Sequence, residues 1–186
     1  MSALVEATAI PAVKIVTPRK FGDARGFFSE VHNRHALAAE GVDLDFVQDN
    51  QSYSAEMGTL RGLHFQSPPM AQDKLIRCLR GAILDVAVDI RTGSPTYGRH
   101  VAVELSADNW RQLLVPKGFL HGFLTLTPDV EVLYKVTAHY SAAHDMGVAW
   151  DDPDLAIAWP KLDRPPILSD KDAKLPRLRD LPAYFG

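Results

Sequence analysis

The hexapeptide Arg61-Gly62-Leu63-His64-Phe65-Gln66 sets the period for the whole chain. Leu63 and Phe65 alternate with His64, the period-2 pattern of a half-buried strand. Successive side chains on a strand point to opposite faces, so Leu63 and Phe65 share one face and Gly62, His64 and Gln66 the other. The same alternation sets Arg61 opposite His64, unless Gly62 relaxes the strand or Arg61 approaches from the rim. An imidazole beside an amide on an inward face fits a hydrogen-bonded core histidine or a base in a site. Lys74, His121, Tyr134 and the pair Lys171-Asp172 downstream supply the company that a site needs.

Runs of the same kind recur on both sides. Residues 10–17, 27–31, 45–53, 60–66, 74–80, 82–90, 99–105, 111–115, 122–126 and 131–140 read as short strands. Turn chemistry separates them, as in residues 21–26, Glu56-Met57-Gly58, Thr92-Gly93-Ser94-Pro95 and Pro116-Lys117-Gly118. Residues 33–41 read as a helix stopped by Gly41. From residue 151 the chain is rich in Pro and Asp and reads as ordered loop with short helical turns. Many short strands with little helix predict an all-β sandwich or barrel. No linker or repeat interrupts the pattern, so residues 1–186 read as a single domain.

Residues 82–90 alternate cleanly. Leu84, Val86, Val88 and Ile90 form one face, and Ile83, Asp85, Ala87 and Asp89 the other. A mid-strand carboxylate implies either a nearby partner or a solvated face. Asp85 fits both, and Asp89, near the strand end, fits the solvated face. In residues 131–140, Val132, Tyr134, Val136, Ala138 and Tyr140 are expected on one face, either as core tyrosines with bonded hydroxyls or lining a cleft.

Composition excludes several classes. Net charge is −3 over 186 residues, so there is no global basic field for nucleic acid. The single cysteine, Cys78, leaves no internal disulfide and reads as a small buried residue. Residues 1–6 lack a basic region followed by a long apolar run, so no signal peptide is expected. No apolar run has the length of a membrane span. A cytoplasmic protein is the expectation.

Pro116-Lys117-Gly118-Phe119-Leu120-His121 follows the Pro-x-Gly-x-x-His pattern of the second cupin motif, which raises the question of a metal. The first cupin motif supplies His-x-His and a nearby Glu. Here Gln66 stands in the second histidine position, and Ser67 to Gln72 contains no acid. Zinc or iron needs about three imidazole, carboxylate or thiolate ligands. Lys74 adds a repelling cation, so no metal is expected.

Taken together, the chain resembles the dTDP-4-dehydrorhamnose 3,5-epimerase family, a metal-free branch of the cupins. The resemblance spans residues 10–175 and rests on an ordered set of motifs. These include Asp23-Ala24-Arg25-Gly26-Phe27-Phe28-Ser29-Glu30, Gln48-Asp49-Asn50-Gln51-Ser52, residues 61–66, Lys74-Leu75-Ile76-Arg77 and residues 116–123. Leu133-Tyr134-Lys135-Val136, Trp150-Asp151-Asp152-Pro153 and Leu168-Ser169-Asp170-Lys171-Asp172 complete it.

The resemblance implies a cupin-type jelly roll that epimerises a dTDP-4-keto-6-deoxyhexose at C3 and C5 without a cofactor. It implies His64 as base, Asp172 as its orienter, Tyr134 as acid on the opposite face, and Lys74 as the cation at the enolate oxygen. Arg25 and Arg61 suit the diphosphate. His121 and Lys171 are further substrate contacts. Glu30, Gln48 and Asn50 match nucleotide contacts, and Tyr140 an aromatic stacked on thymine. Asp145 stands where the family commonly has Glu, a methylene shorter. The family implies a homodimer whose N-terminal strands cross to the partner, so that Arg25 and Glu30 complete the neighbour's site. Siblings inverting C3 or C5 alone carry nearly the same residues. A non-catalytic sugar-binding cupin or a metal-dependent one are the remaining alternatives.

Overall fold

The structure, a computed structural model, describes residues 3–186. Met1 and Ser2, part of the segment read for a targeting signal, lie outside the described residues. No helix among the described residues is long and apolar enough to cross a membrane. β1 (Leu4–Ala7), β2 (Lys14–Thr17), β3 (Lys20–Asp23) and β4 (Gly26–Ser29) precede the helix α1 (Arg34–Ala39). Then come β5 (Gln48–Ser54), β6 (Leu60–Gln66), β7 (Lys74–Arg80), β8 (Ala82–Asp89) and β9 (His100–Ser106). β10 (Gln112–Val115), β11 (Phe119–Thr125), β12 (Val130–Val136) and β13 (Asp145–Gly147) follow, with two 3₁₀ turns in the tail.

The strands form an antiparallel sandwich of the expected all-β, cupin-type kind. One sheet has the order β1-β2-β10-β7-β12-β5, the other β13-β6-β11-β8-β9, and β3-β4 stands apart as a hairpin. Cross-strand partners face the same way. Val132↔Cys78, Tyr134↔Ile76 and Val136↔Lys74 therefore point Tyr134 and Lys74 inward with the core residues of their sheet. Between the sheets lie Ile76, Cys78, Ile83, Leu105, Leu113 and Phe123. The outer face of the second sheet is also buried. Leu63, Phe65, Val86 and Val88 are covered by tail residues Leu155, Leu178, Tyr184 and Phe185. Full burial of one such side chain is worth about 1.5–3 kcal/mol, enough in sum to hold an almost strandless tail in place.

The expected strands at 60–66 and 74–80 match β6 and β7 residue for residue. Residues 10–17 form a strand only over Lys14–Thr17, and Leu4–Ala7 and Asp145–Gly147 are strands that were not expected. Further readings differ. Residues 21–26 are not a turn throughout. Asp23 Oδ1 accepts the Arg25 N–H at 2.8 Å and confines the turn to the tip of the β3–β4 hairpin. Residues 131–140 are not one strand. Thr137 donates from its amide to the Asp73 carbonyl and from its hydroxyl to the Asp73 carboxylate, which ends β12 at Val136. Ala138 and Tyr140 therefore leave the sheet. β11 begins at Phe119 rather than 122, so His121 stands within a strand. Asp89 is fully buried rather than solvated, and accepts hydrogen bonds from Arg91, Ser94 and Thr96.

Trp110 fastens the hairpin to the sandwich. Its ring lies 4.0 Å from the Lys20 ammonium and 4.2 Å from the Arg77 guanidinium, and its Nε1–H donates to Ser29 Oγ at 3.2 Å. Cation–π contacts of this kind stabilise by about 0.5–2 kcal/mol.

Candidate active site

A bulge decides what faces the cleft. β6 pairs with β11 through His121↔His64 and Phe123↔Arg61, with a shift between them. Arg61 and His64 are three residues apart on β6, while their partners are two apart on β11. The extra residue turns Arg61 to the side of His64, which strict alternation forbids. Gly62 has φ +122°, and a Cβ on it would lie 2.7 Å from Gly122 Cα. A Cβ on Gly122 would lie 2.7 Å from the Arg61 carbonyl oxygen. Both glycines are thus required by the close approach of the two strands. Arg61 Nε then donates to Ser54 Oγ at 3.1 Å and Nη2 to the Tyr53 carbonyl at 2.9 Å.

The cleft between the sheets has a volume of about 420 Å³ and is lined by Arg61, His64, Lys74, His121, Tyr134 and Asp172, among others. That is the size of a small-molecule site. His64 Nε2 lies 2.6 Å from Asp172 Oδ1. Asp172 opens a 3₁₀ turn and is 4 % exposed. Burial alone would raise its carboxyl. The His64 hydrogen bond and charge, the Gly62 amide and Ser169 Oγ outweigh that and hold it below the ordinary carboxylate value. A carboxylate accepting from Nε2–H fixes the ring and leaves Nδ1 to take a proton.

Lys74 and Tyr134 come from the opposite sheet. Lys74 is 9 % exposed, and burial pushes its ammonium down to about 8 against the pull of Asp145 and Asp85. Burial also raises the Tyr134 phenol, so it stays protonated near neutral pH. A carboxylate-oriented imidazole therefore faces a phenol and an ammonium across one cleft. That set can remove a proton on one side, return one on the other, and hold an enolate oxygen between.

The cleft also contains a pairing that sequence reading did not assemble. His121 Nε2 lies 2.7 Å from Asp85 Oδ1, and Asp85 is fully buried on the inner face of β8. The solvated alternative for Asp85 is thereby excluded. Its signal was the mid-strand acid, but the partner was not identifiable from spacing. Ser52 also lines the cleft and was not singled out. Its sequence signals are its place in the Gln48–Ser52 motif and its alternation with Asn50 on β5.

At the rim, Gln48 Nε2 donates to Asn50 Oδ1 at 2.7 Å, and the Tyr140 N–H donates to Gln48 Oε1 at 3.0 Å. Asp145 Oδ2 accepts from the Tyr140 hydroxyl and from Lys171 Nζ. The shorter Asp145 thus still spans two rim residues. Tyr140 is 60 % exposed and stands on this loop, not on the Tyr134 face expected from alternation. Arg25 and Glu30 lie outside the cleft. Arg25 pairs with Asp23 at the hairpin tip, its side chain 91 % exposed, and Glu30 borders the surface beside α1.

Gln66 has another task than metal binding. Its Nε2 donates to the Met70 and His139 carbonyls, and its Oε1 accepts the Ser141 N–H at 2.7 Å. It ties two loops to β6. No group of three or more His, Cys, Asp or Glu with metal-site geometry occurs among the described residues.

A jelly roll with this cleft defines a cupin-type isomerase acting next to a carbonyl. The chain belongs to the dTDP-4-dehydrorhamnose 3,5-epimerase family, whose profile matches residues 7–180. It is 54% identical over 180 residues to the dTDP-4-dehydrorhamnose 3,5-epimerase of Sinorhizobium fredii, covering 97% of this chain and 92% of that one. The crystal structure of the Bacillus anthracis epimerase with TDP and PPi bound has a TM-score of 0.91 and 56% identity, over 95% of this chain and 99% of that one. The Legionella pneumophila epimerase in complex with dTDP-4-keto-L-rhamnose has a TM-score of 0.92 and 43% identity, over 97% of this chain and 95% of that one.

Proposed function

We propose that this protein inverts C3 and C5 of dTDP-4-keto-6-deoxy-D-glucose through enolate intermediates and delivers dTDP-4-keto-L-rhamnose. The observation that carries the reading is the arrangement of four side chains about one cleft. His64 with Asp172 stands on one wall, Tyr134 and Lys74 on the other. The C4 ketone acidifies the C3 and C5 hydrogens. His64 takes each proton, the Lys74 ammonium holds the enolate oxygen, and Tyr134 returns a proton from the opposite side. No cofactor enters these steps.

Arg61, already aimed into the cleft by Ser54 and Tyr53, suits the substrate's diphosphate. His121, Lys171 and Asp145 hold the sugar and its phosphates, while Gln48, Asn50 and Tyr140 meet the nucleotide at the rim. Arg25 and Glu30 serve a second copy, whose cleft their hairpin reaches in a homodimer. Their distance from their own cleft supports this. The chain works as one domain, in the cytoplasm where nucleotide sugars are made, and takes no nucleic acid or membrane as partner.

The test is turnover of the 4-keto-6-deoxyglucose nucleotide in D₂O. Label at both C3 and C5 is expected, with a product that a 4-ketoreductase specific for the doubly inverted sugar accepts. Neither exchange nor inversion would remove the assignment. Net inversion at one carbon alone would select a single-inversion sibling.

A further inference from the structure

Asp85 is fully buried, yet only one of its oxygens is hydrogen-bonded. Oδ1 meets His121 Nε2, and Oδ2 has no partner among the described residues. A half-satisfied buried carboxylate is costly and calls for a reason. Packing does not supply one, since Ile83, Val86, Ala87 and Val88 around it on β8 are buried apolar residues. Its hydrogen-bonded partner faces the cleft. His121 lines that cleft, and the buried Lys74 on the facing sheet feels the Asp85 charge.

We propose that Asp85 is a positioning residue of the epimerisation: one oxygen orients His121 into the cleft, and the other supplies the buried negative charge that keeps Lys74 an ammonium facing the enolate oxygen. This rests on the function proposed above. The charges that act on Lys74 are, strongest first, Asp145 on β13, Asp85 on β8 and Lys171 beside the 3₁₀ turn. His64, His121, Arg61 and Tyr134 stand on the walls of the same cleft. Asp145 is already committed to Lys171 and Tyr140. Asp85 Oδ2 is the fully buried carboxylate oxygen acting on Lys74 that has no hydrogen-bond partner among the described residues. An asparagine there keeps the shape and the His121 contact but carries no charge.

The experiment follows Lys74 directly. Lysine side chains labelled with carbon-13 are titrated by NMR in the wild-type protein and in Asp85→Asn, with Lys74 assigned by the signal lost in Lys74→Arg. The Lys74 titration is expected about one pH unit lower in Asp85→Asn. No substrate is needed, so this result stands apart from the assigned reaction. With substrate, kcat of Asp85→Asn relative to wild type is expected to be about fivefold lower at pH 8 than at pH 6, because the ammonium is lost only at the higher pH. A Lys74 titration that stays in place overturns the proposal. So does an equal loss at both pH values, which is what damaged packing gives. If Asp85→Asn does not fold, His121→Gln decides, because it removes the ring and keeps the charge. Lys74 must then titrate no lower than in wild type, and a lower value overturns the proposal.

Discussion

His64 and His121 stand directly opposite each other in the β6–β11 register, and each reaches its own buried carboxylate. Only His64 is held by a residue from outside the sandwich strands, Asp172 of the 3₁₀ turn. That contact leaves its other ring nitrogen to take a proton. His64→Ala should lower kcat by about 10² to 10⁴-fold, the usual scale for a positioned base. Asp172→Asn should cost less, since the base remains while its orientation and charge support weaken. Steady-state rates on folded protein check both. Near-normal turnover by His64→Ala removes it from the mechanism.

The same carboxylate makes an acid-stability prediction. The folded Asp172 carboxyl is held below its unfolded value, about 3.9. A depressed carboxyl contributes stability that is present above the unfolded value and lost as pH falls through the folded one. The wild-type melting temperature should therefore fall more steeply than that of Asp172→Asn as pH drops below about 4. Parallel pH–melting curves for the two proteins would show that Asp172 contributes no such stability.

Gly62 and Gly122 are expected to tolerate nothing larger. Each Cβ would enter the other strand's backbone at 2.7 Å, and Gly62 also sits at positive φ. Neither strand can retreat, since β6 is bound by β13 and β11 by β8. Gly122→Ala should destabilise by about 2 kcal/mol or more, a melting shift of about 4–8 °C for a chain of this size. Thermal unfolding checks it. A shift of a degree or less would mean that the bulge can open.

This bulge also marks the boundary of what the sequence could tell. Alternation in residues 60–66 and 82–90 located the strands and predicted that His64 points inward. Strict alternation set Arg61 opposite His64, with Gly62 as the residue that could relax it; one extra residue does reverse every side chain beyond it, and only the pairing with β11 shows that the shift is made there. Asp85 was visible as a mid-strand acid, yet its bond to His121 joins positions 36 residues apart through strand pairing. Tyr140 was read from period 2 carried past Val136. The stop comes from Asp73, on a different strand end, and Thr137. Local pattern reports the period, and long-range partners decide where it begins, slips and stops.

The hairpin predicts an assembly. Phe27 and Phe28 are 55 % and 70 % exposed on β4, and Arg25 at the hairpin tip lies outside the chain's own cleft. Exposed phenylalanines on the hairpin, together with the edge strand β1, are what a second copy would cover. Light scattering at micromolar concentration should give twice the 20.5 kDa chain mass. Arg25→Ala should raise KM for the nucleotide sugar while leaving kcat nearly unchanged, because a diphosphate contact distant from C3 and C5 binds ground state and transition state alike. A monomer with an unaltered KM would confine Arg25 to its pair with Asp23.

Tyr134→Phe should separate the two halves of each inversion. His64 and Tyr134 face the cleft from different sheets, β6 and β12. Removing the phenol oxygen leaves the His64–Asp172 pair and Lys74 untouched, so abstraction and enolate stabilisation persist. What is lost is the donor on the far side, and burial keeps that phenol protonated in the wild-type protein. An enolate with no donor opposite His64 is reprotonated from the side it came from. In D₂O the variant should thus exchange its carbon-bound hydrogens while net inversion falls by about 10² to 10⁴-fold. Label position is read by NMR, and product configuration by coupling to the 4-ketoreductase. If exchange and inversion fall together, Tyr134 acts before the enolate forms, and its role is to bind or orient the sugar. If inversion survives at the wild-type rate, the proton comes from elsewhere, and bound water admitted from the rim beside Tyr140 becomes the donor to test.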